Sequence, residues 1–298
     1  MPIKIITFNI EGFTSNRGYQ FAWKHRAAVN IHIIKKYIPD IICLQEAEEE
    51  NIECYTKNFP YYETLKGLPV FLQNKKRVTY TPILWNKNRF SNERHGSFYL
   101  SKTPYKYSKS WRAKYIRTVN WIKLLDKKSK TNFFVINTHL DNYSEQARIK
   151  SSELINTKIN SLLSQEELPV ILAGDFNSRP WAPYDENNSI YSAPIIPHAL
   201  PPAEKVYNTY LNNRFTDTYF YVFKNNVLNM NTYHDYYGTK FPPAGLRIDW
   251  ILKRDYKEIF TGLNYLIIKD SLNSVYPSDH YPVLVELEEN KIHTICKY

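Results

Sequence analysis

The chain has 298 residues, a formal net charge of +10, and 43% hydrophobic and 15% aromatic residues, which is enough apolar material for a full core and excludes wholesale disorder. Its 8 glycines form no G-x-G pair and no Walker A loop, which excludes dinucleotide-binding and P-loop proteins of the standard kind, while the absence of G-x-S-x-G and H-E-x-x-H disfavours ordinary serine hydrolases and zincins. The three cysteines, Cys43, Cys54 and Cys296, are too scattered for a zinc cluster or a disulfide framework.

The first predicted elements are a strand, a helix and a second strand. Ile3–Phe8 is β-branched and apolar, which predicts a strand that delivers Asn9 at its end. The apolar spacing from Trp23 to Tyr37 predicts a helix. Ile41–Gln45 is a nearly unbroken apolar run, typical of a strand covered on both faces, and it delivers Glu46.

The later elements are mostly predicted strands. A helical pattern runs from Glu145 to Leu163, and the stretch from Ser178 to Tyr237 is predicted to be mostly irregular. Because the chain contains no internal repeat and no long linker, we predict one domain, residues 1–298, of layered sheets with covering helices. The strand-like runs are Pro82–Trp85, Thr118–Leu125, Asn132–Thr138, Pro169–Ala173, Leu246–Leu252 and Pro282–Leu287.

The apolar segments are all short. No long apolar signal region follows the first residues, and no stretch approaches the roughly 20 apolar residues that a bilayer span needs. The sequence therefore predicts no membrane span and a soluble protein of the cytoplasm, without a signal peptide. It contains no pattern from which a protein partner can be inferred.

Polar residues follow most of the predicted strands. Catalytic groups are often found at strand ends because the sheet holds them rigidly. A single such end is more typical of a turn, but six in one chain indicate a shared site. The residues at these ends are Asn9, Glu46, His139, Asp141, Asp175, Asn177, Asp249, Asp279 and His280.

The residue types at these ends indicate metal-assisted phosphate chemistry. Carboxylates and amides are hard oxygen ligands that suit Mg²⁺ or Mn²⁺ better than Zn²⁺. Mg²⁺ keeps several waters and binds phosphate oxygens, so acids with asparagines and histidines favour phosphoryl transfer to water. The histidines would supply hydrogen bonds, positive charge and proton transfer to the leaving oxygen.

Taken in order, the motifs resemble the endonuclease/exonuclease/phosphatase superfamily, which has the deoxyribonuclease-I-like fold. The resemblance covers Ile3 to Leu287 and implies an α/β chain of the α+β type. The fold would be a four-layer sandwich of two packed, mostly antiparallel β-sheets flanked by helices, with the site in a cleft at one edge. The motifs are Thr7-Phe8-Asn9, Leu44-Gln45-Glu46, Thr138-His139-Leu140, Gly174-Asp175-Phe176-Asn177, Arg247-Ile248-Asp249 and Ser278-Asp279-His280.

The resemblance also implies a metal site. Glu46 would be the principal ligand of a divalent ion, and Asn9 and Asp279 would complete the metal environment with water. The implied cofactor is Mg²⁺, with Mn²⁺ as a possible substitute.

Five further residues receive catalytic roles from the same resemblance. Asp175 would orient or deprotonate the attacking water, and Asn177 would hold a phosphate oxygen of the substrate. His280 would contact the phosphate or act as a base, with Asp249 fixing its tautomer. His139 would stabilise the transition state or help to protonate the leaving group.

Basic and aromatic residues alternate between Lys102 and Arg117, a composition that suits a phosphate backbone with stacked bases. A solvated loop is the alternative interpretation. Arg117 itself is a candidate for orienting substrate by family resemblance. Trp181, Tyr184 and Tyr191 would form a substrate wall or simply pack a long loop.

We therefore expect a divalent-metal-dependent phosphoester hydrolase, a phosphodiesterase or nuclease that uses an activated water on a phosphate-containing substrate, nucleic acid above all. The alternatives are a phosphomonoesterase acting on a small phosphorylated metabolite, sugar or lipid headgroup, and a binding scaffold without turnover. Ala47 follows Glu46 where abasic-site endonucleases carry lysine, which argues against that branch. The run from Thr138 to Arg148, with Thr232-Tyr233-His234 before Arg247-Ile248-Asp249, resembles more a broad bacterial-type subgroup with poorly defined substrates. Gly174–Ser178 with Pro277–Pro282 also resembles poly(A) deadenylases.

Overall fold

The structure is a computed structural model. Trp181, Tyr184 and Tyr191, which would form a substrate wall or simply pack a long loop, lie outside the residues that it describes. Within the described residues, no helix is both long and apolar enough to cross a membrane. The described residues are 2–13, 18–72, 76–164, 166–180, 204–223, 231–241 and 246–290.

The described residues form strands and helices in a mixed order. The strands are β1 (Ile3–Asn9), β2 (Ile41–Gln45), β3 (Tyr62–Leu65), β4 (Val70–Leu72), β5 (Arg77–Thr79), β6 (Ile83–Asn86), β7 (Phe90–Tyr99), β8 (Thr118–Asp126), β9 (Asn132–His139), β10 (Val170–Asp175), β11 (Thr216–Asp217), β12 (Asp249–Arg254), β13 (Phe260–Ile267) and β14 (Val283–Glu289). The helices are α1 (Trp23–Tyr37), α2 (Glu49–Asn58), α3 (Glu145–Leu163), α4 (Glu204–Leu211) and α5 (Thr218–Phe223).

The strands form two six-stranded sheets and a separate hairpin of β4 and β5. The first sheet has the order β13-β14-β1-β2-β6-β3, and the second has the order β11-β12-β10-β9-β8-β7. The pairs β1–β2 and β9–β10 are parallel, and the other pairs in the two sheets are antiparallel.

Three apolar layers hold the sandwich together. Side chains of both sheets meet in a central core that contains Ile5 of β1 and Val135 of β9. The outer face of the first sheet packs against α1 and α2, and the outer face of the second packs against α3 and α4. The predicted four-layer sandwich of two mostly antiparallel sheets flanked by helices is therefore confirmed.

The unbroken apolar runs follow from this layering. In β1, Ile5 faces the central core, whereas Ile6 and Phe8 pack under the helices, because successive side chains point to opposite faces. Both faces are buried, so apolar residues occur on both of them rather than at every second position only. Cys43 of β2 is likewise buried in the central core as a small hydrophobic residue.

The stretch predicted to be irregular contains regular structure in its described part. α4, β11 and α5 all lie between Ser178 and Tyr237, so that prediction was wrong for these residues. Aromatic residues have modest helix propensity, and these helices are too short to show a clear helical period of apolar residues. Tertiary packing stabilises them: Tyr207 and Tyr210 of α4 are buried, and the Tyr207 ring meets Trp250 edge-on at 5.3 Å.

Candidate active site

Strand register brings three predicted site residues side by side at one edge of the second sheet. β10 lies between β9 and β12, and its last residue, Asp175, is paired with both His139 and Asp249. Because β9 and β10 are parallel, both end at this edge, while the antiparallel β12 begins there. Strand β12 begins at Asp249 rather than at the predicted Leu246, so this carboxylate is the first residue of the strand.

The first sheet contributes Asn9 and Glu46 from the ends of its two parallel strands. Asn9 Nδ2 donates hydrogen bonds to Glu46 Oε1 at 3.3 Å and to Asp175 Oδ2 at 3.0 Å. The oxygen of the same amide accepts a hydrogen bond from Glu11 N at 3.1 Å. Asn9 therefore links two carboxylates that belong to different sheets.

The local backbone at these strand ends is unusual. Gly174 has a φ of 154°, and a Cβ at this position would clash with the carbonyl oxygen of Thr138. Glycine is therefore required directly before Asp175. Glu46 and Asn177 have left-handed φ values of 58° and 47°, a conformation that costs free energy and is concentrated at functional sites.

His139 is held as a neutral imidazole with a defined tautomer. Arg117 Nη1 lies 2.8 Å from His139 Nδ1, and since a guanidinium only donates, Nδ1 must accept. Burial and the charges of Arg117 and His280 hold the pKa of His139 well below its usual value. The proton is therefore on Nε2, which lies 3.4 Å from Asp175 Oδ2 and 3.9 Å from Glu46 Oε1.

His280, unlike His139, is positively charged. Burial lowers the pKa of His280, but the Asp249 carboxylate, helped by Asp279 and Asp175, outweighs burial and raises it to about 10. The imidazolium Nδ1 donates to Asp249 Oδ2 at 2.9 Å, and Nε2 lies 3.9 Å from Asp175 Oδ2. The predicted pairing of Asp249 with His280 is present in the structure.

Asp175 is the shared neighbour of both histidines. Burial and the nearby Asp249 charge raise the pKa of Asp175 to about 7, against the opposing effects of His280, Asn9 and Asn177. The backbone N–H of Asn177 donates to Asp175 Oδ1 at 2.9 Å, and Asn177 Nδ2 donates to Leu140 O at 3.0 Å. A carboxyl group with a pKa near 7 is suited to exchange a proton with water at neutral pH.

Two sets of residues are candidates for a metal ion: the buried group of Asp175, Asp249 and His280, and the predicted ligand Glu46 with its neighbours. Ligand atoms of Asp175, Asp249 and His280 lie within 4.8 Å of one another. The hydrogen bond to Asp249 uses Nδ1 of His280, so Nε2 would be its ligand atom, and the His280 side chain is only 6% exposed, which leaves little room for the waters that Mg²⁺ keeps. The Glu46 side chain is 36% exposed, against 2% for Asp175 and 1% for Asp249, and a carboxylate suits a hard divalent cation. The structure therefore fits a metal at Glu46 better.

Asp279, the third predicted metal ligand, borders this group. Its side-chain Oδ1 accepts a hydrogen bond from Ser278 Oγ at 3.1 Å, and its carbonyl oxygen accepts from His234 N at 2.8 Å. The Asp279 carboxylate is one of the charges that raise the pKa of His280. The described contacts thus join Asn9, Glu46, Arg117, His139, Asp175, Asn177, Asp249 and His280 directly, with Asp279 beside them.

Sequence reasoning missed a polar network directly beneath the site. Gln45 Nε2 donates to Asn137 Oδ1 at 2.8 Å and to Thr7 Oγ1 at 3.0 Å, which ties the two sheets together. Asn137 Nδ2 in turn donates to the carbonyls of Leu44 and Pro82 at 2.8 and 2.9 Å. The available signal was an asparagine inside an apolar strand, because a buried amide needs partners.

Asp141, which stands at a predicted strand end without a predicted role, lies two positions after His139. Its Oδ1 accepts hydrogen bonds from the backbone N–H groups of Tyr143 and Ser144 at 3.0 and 2.7 Å. Its Oδ2 accepts from Lys114 N and Tyr115 N at 3.0 and 3.1 Å. Asp141 therefore anchors the basic and aromatic loop beside the site.

Comparison with known proteins gives a consistent result. The model of the Endonuclease/Exonuclease/phosphatase family matches residues 6–280. Protein angel homolog 2 of Danio rerio is 29% identical over 175 residues, which are 54% of this chain and 29% of that protein. Probable RNA exonuclease NGL3 of Saccharomyces cerevisiae is 25% identical over 207 residues, 61% of this chain and 39% of that protein. The chain thus spans about a third of the length of these curated relatives.

Solved structures share the fold. A mannosyl-6-phosphatase of Bacteroides thetaiotaomicron superposes with a TM-score of 0.76 at 23% identity, covering 96% of this chain and 99% of that one. TDP2 of Danio rerio, solved with a single-strand DNA product, superposes with a TM-score of 0.69 at 18% identity, again covering 96% and 99%.

Proposed function

This chain belongs to the endonuclease/exonuclease/phosphatase family, and on that premise we propose that it is a divalent-metal-dependent phosphoester hydrolase that cleaves nucleic acid phosphodiesters with an activated water. One observation carries the proposal. Register across β9, β10 and β12 places Asp175 between a neutral His139 and, through Asp249, a charged His280. Asp175 Oδ2, on the proposed base, then has the neutral donor His139 Nε2 at 3.4 Å and the cationic donor His280 Nε2 at 3.9 Å.

We assign to Asp175 the role of the base that takes a proton from the attacking water. Its pKa, raised to about 7, makes it a competent proton acceptor near neutral pH, and Asn9 and Asn177 hold one oxygen each. In the reaction the water oxygen forms a new bond to phosphorus, its proton passes to Asp175, and the bond from phosphorus to the leaving oxygen breaks.

The two histidines receive different roles from their charge states. His139 donates a hydrogen bond from Nε2 to a phosphoryl or leaving oxygen, but as a neutral imidazole it is not the acid that gives up its proton. His280 is an imidazolium whose Nε2–H stabilises the growing negative charge and can protonate the leaving oxygen. The second hydrogen of Asn177 Nδ2 is assigned to a phosphate oxygen, and Arg117 orients His139 as well as the substrate.

The proposed cofactor is Mg²⁺, with Mn²⁺ as a substitute. Glu46 would hold it as the accessible carboxylate, and Asn9 and Asp279 would complete its environment together with water. When bound, such an ion polarises a phosphoryl oxygen and neutralises part of the charge of the transition state.

Nucleic acid is the substrate class that we favour. Among the relatives, one carries the name of an RNA exonuclease and another was solved with a single-strand DNA product. The net charge of +10 favours a polyanion. The second candidate is phosphomonoester hydrolysis on a small phosphorylated sugar, supported by the structural likeness to a mannosyl-6-phosphatase.

The deciding experiment is an activity panel in Mg²⁺, in Mn²⁺ and in EDTA. The substrates are single-stranded DNA and RNA, duplex DNA, a bis-aryl phosphodiester and a set of phosphorylated sugars, and Asp175→Asn is assayed in parallel to exclude a contaminating enzyme. We expect metal-dependent cleavage of oligonucleotides that far outpaces phosphate release from sugars. Fast release from sugars with intact oligonucleotides would establish the second candidate, and no turnover of any substrate would refute both.

A further inference from the structure

A row of alternating cations and aromatic rings begins at His139 and runs outward to solvent. The Arg117 guanidinium, bound to His139 Nδ1, also lies 5.5 Å from the centre of the Tyr115 ring. Lys114 Nζ lies 5.3 Å from the Tyr115 ring and 5.8 Å from the Tyr143 ring. We call Arg117, Tyr115, Lys114 and Tyr143 the cation–aromatic row.

The backbone of the row is held from both ends by one buried carboxylate. Asp141 accepts hydrogen bonds from Lys114 N and Tyr115 N with one oxygen and from Tyr143 N with the other, and it is only 2% exposed. Since Asp141 lies two residues after His139, the row keeps a defined position relative to the site. Ser144 Oγ adds a hydrogen bond to Trp111 O at 2.9 Å, which ties the loop to the start of α3.

The outer end of the row is exposed despite this anchoring. Tyr143 is 74% exposed, and Lys114 is also exposed. An exposed aromatic ring next to a cation, on a backbone that is already anchored, offers a stacking surface at a reduced entropic cost. Single-stranded nucleic acid presents the matching chemistry, with bases for the rings and phosphates for the cations.

We propose that the cation–aromatic row is a binding subsite for single-stranded nucleic acid, in which a base beyond the cleaved phosphate stacks on Tyr143 and the neighbouring phosphate contacts Lys114. The subsite rests on the proposed function and narrows it to unpaired strands. In a duplex the bases are stacked on one another, so they are not available to the Tyr143 ring.

Tyr105 provides a matched control. It is 76% exposed, it lies in the loop that also holds Lys114 and Tyr115, and it too contacts a lysine, since Lys158 Nζ lies 4.7 Å from its ring. Lys158 is on α3, however, about 20 Å along the helix from its start, where Tyr143 lies. Tyr105→Ala therefore removes an equivalent surface ring outside the row.

The test compares kcat/KM on a single-stranded oligonucleotide with kcat/KM on the bis-aryl phosphodiester. Tyr143→Ala should lower the oligonucleotide-to-diester ratio by roughly 5- to 100-fold, the range expected for the loss of one stacked base, and Tyr143→Trp should restore it. Oligonucleotide affinity should fall less steeply with salt in Lys114→Ala. The slope of log affinity against log salt concentration should become shallower by somewhat less than about one unit, the value for one lost phosphate contact.

The outcomes separate this proposal from the proposed function. Turnover of the diester by the wild type, with equal ratios for Tyr143→Ala and Tyr105→Ala, would overturn the subsite and leave the hydrolase intact. A wild type that cleaves neither substrate would refute the proposed phosphodiesterase activity itself. If Tyr143→Ala lowers kcat/KM on phosphorylated sugars as much as on the oligonucleotide, the row binds a sugar and the proposal is overturned. Cleavage of duplex DNA by the wild type as fast as cleavage of the single strand would also overturn it.

Discussion

Arg26 offers a strict test of how the loops around the site are held. The residue is fully buried on α1, and its guanidinium donates to four backbone carbonyls. Nε donates to Phe21 O at 2.6 Å, Nη1 to Ile10 O at 2.6 Å and to Pro277 O at 2.9 Å, and Nη2 to Gly12 O at 2.9 Å. Ile10 follows Asn9 and Pro277 precedes Ser278 and Asp279, so one side chain joins two loops that carry proposed metal ligands.

The perturbation is Arg26→Met, which keeps most of the side-chain volume and removes every donor. Pro277 O would keep its hydrogen bond from Asn30 Nδ2 at 2.9 Å. The carbonyl oxygens of Phe21, Ile10 and Gly12 would each lose the hydrogen bond that they accept from the guanidinium. Each buried acceptor without a donor costs about 1–3 kcal/mol, and entering water recovers part of that. We therefore expect the free energy of unfolding to fall by about 3 kcal/mol or more, a large part of the total for a domain.

The assay is urea unfolding followed by circular dichroism, with Lys35→Met on the exposed face of the same helix as the control. At a temperature where the variant remains folded, the Mg²⁺ concentration for half-maximal activity should rise about 10-fold, because Asn9 and Asp279 lose their fixed spacing. A loss below about 1 kcal/mol together with an unchanged Mg²⁺ requirement would refute the reasoning.

Three further predictions concern the site itself. Glu46→Gln should raise the Mg²⁺ concentration for half-maximal activity at least about 10-fold, and an unchanged metal titration would count against its ligand role. Arg117→Met should lower kcat by roughly 10- to 100-fold, because His139 Nδ1 loses the donor that defines its tautomer, and kinetics at wild-type rate would contradict that role. In EDTA, the raised pKa of His280, about 10, contributes stability that is fully present below the unfolded pKa of about 6.5 and is lost as pH rises towards 10. His280→Gln should therefore lose less stability than the wild type between pH 7 and 9.5 in urea unfolding, and equal losses would disprove the charge state.

Much of the architecture follows from local patterns. Helices α1 and α3 have the bounds that their patterns predict, and both faces of β1 and β2 carry apolar side chains because both of their faces are buried. The patterns do not reveal α2, whose start is rich in glutamate and whose capping box pairs Glu48 N with Asn51 Oδ1 at 2.7 Å. They also miss β7, whose middle residues are exposed. In these elements the deciding contacts are tertiary or are made by polar groups.

The candidate site divides in the same way. The sequence by itself determines which polar residues stand at the strand ends, because each one interrupts an apolar run. It does not determine that Asn9 bridges two carboxylates, that Arg117 occupies His139 Nδ1, or that Asp249 gives His280 its charge. Those relations depend on register between strands that are distant along the chain, and the charge states depend on burial, which exists only once the two sheets have packed.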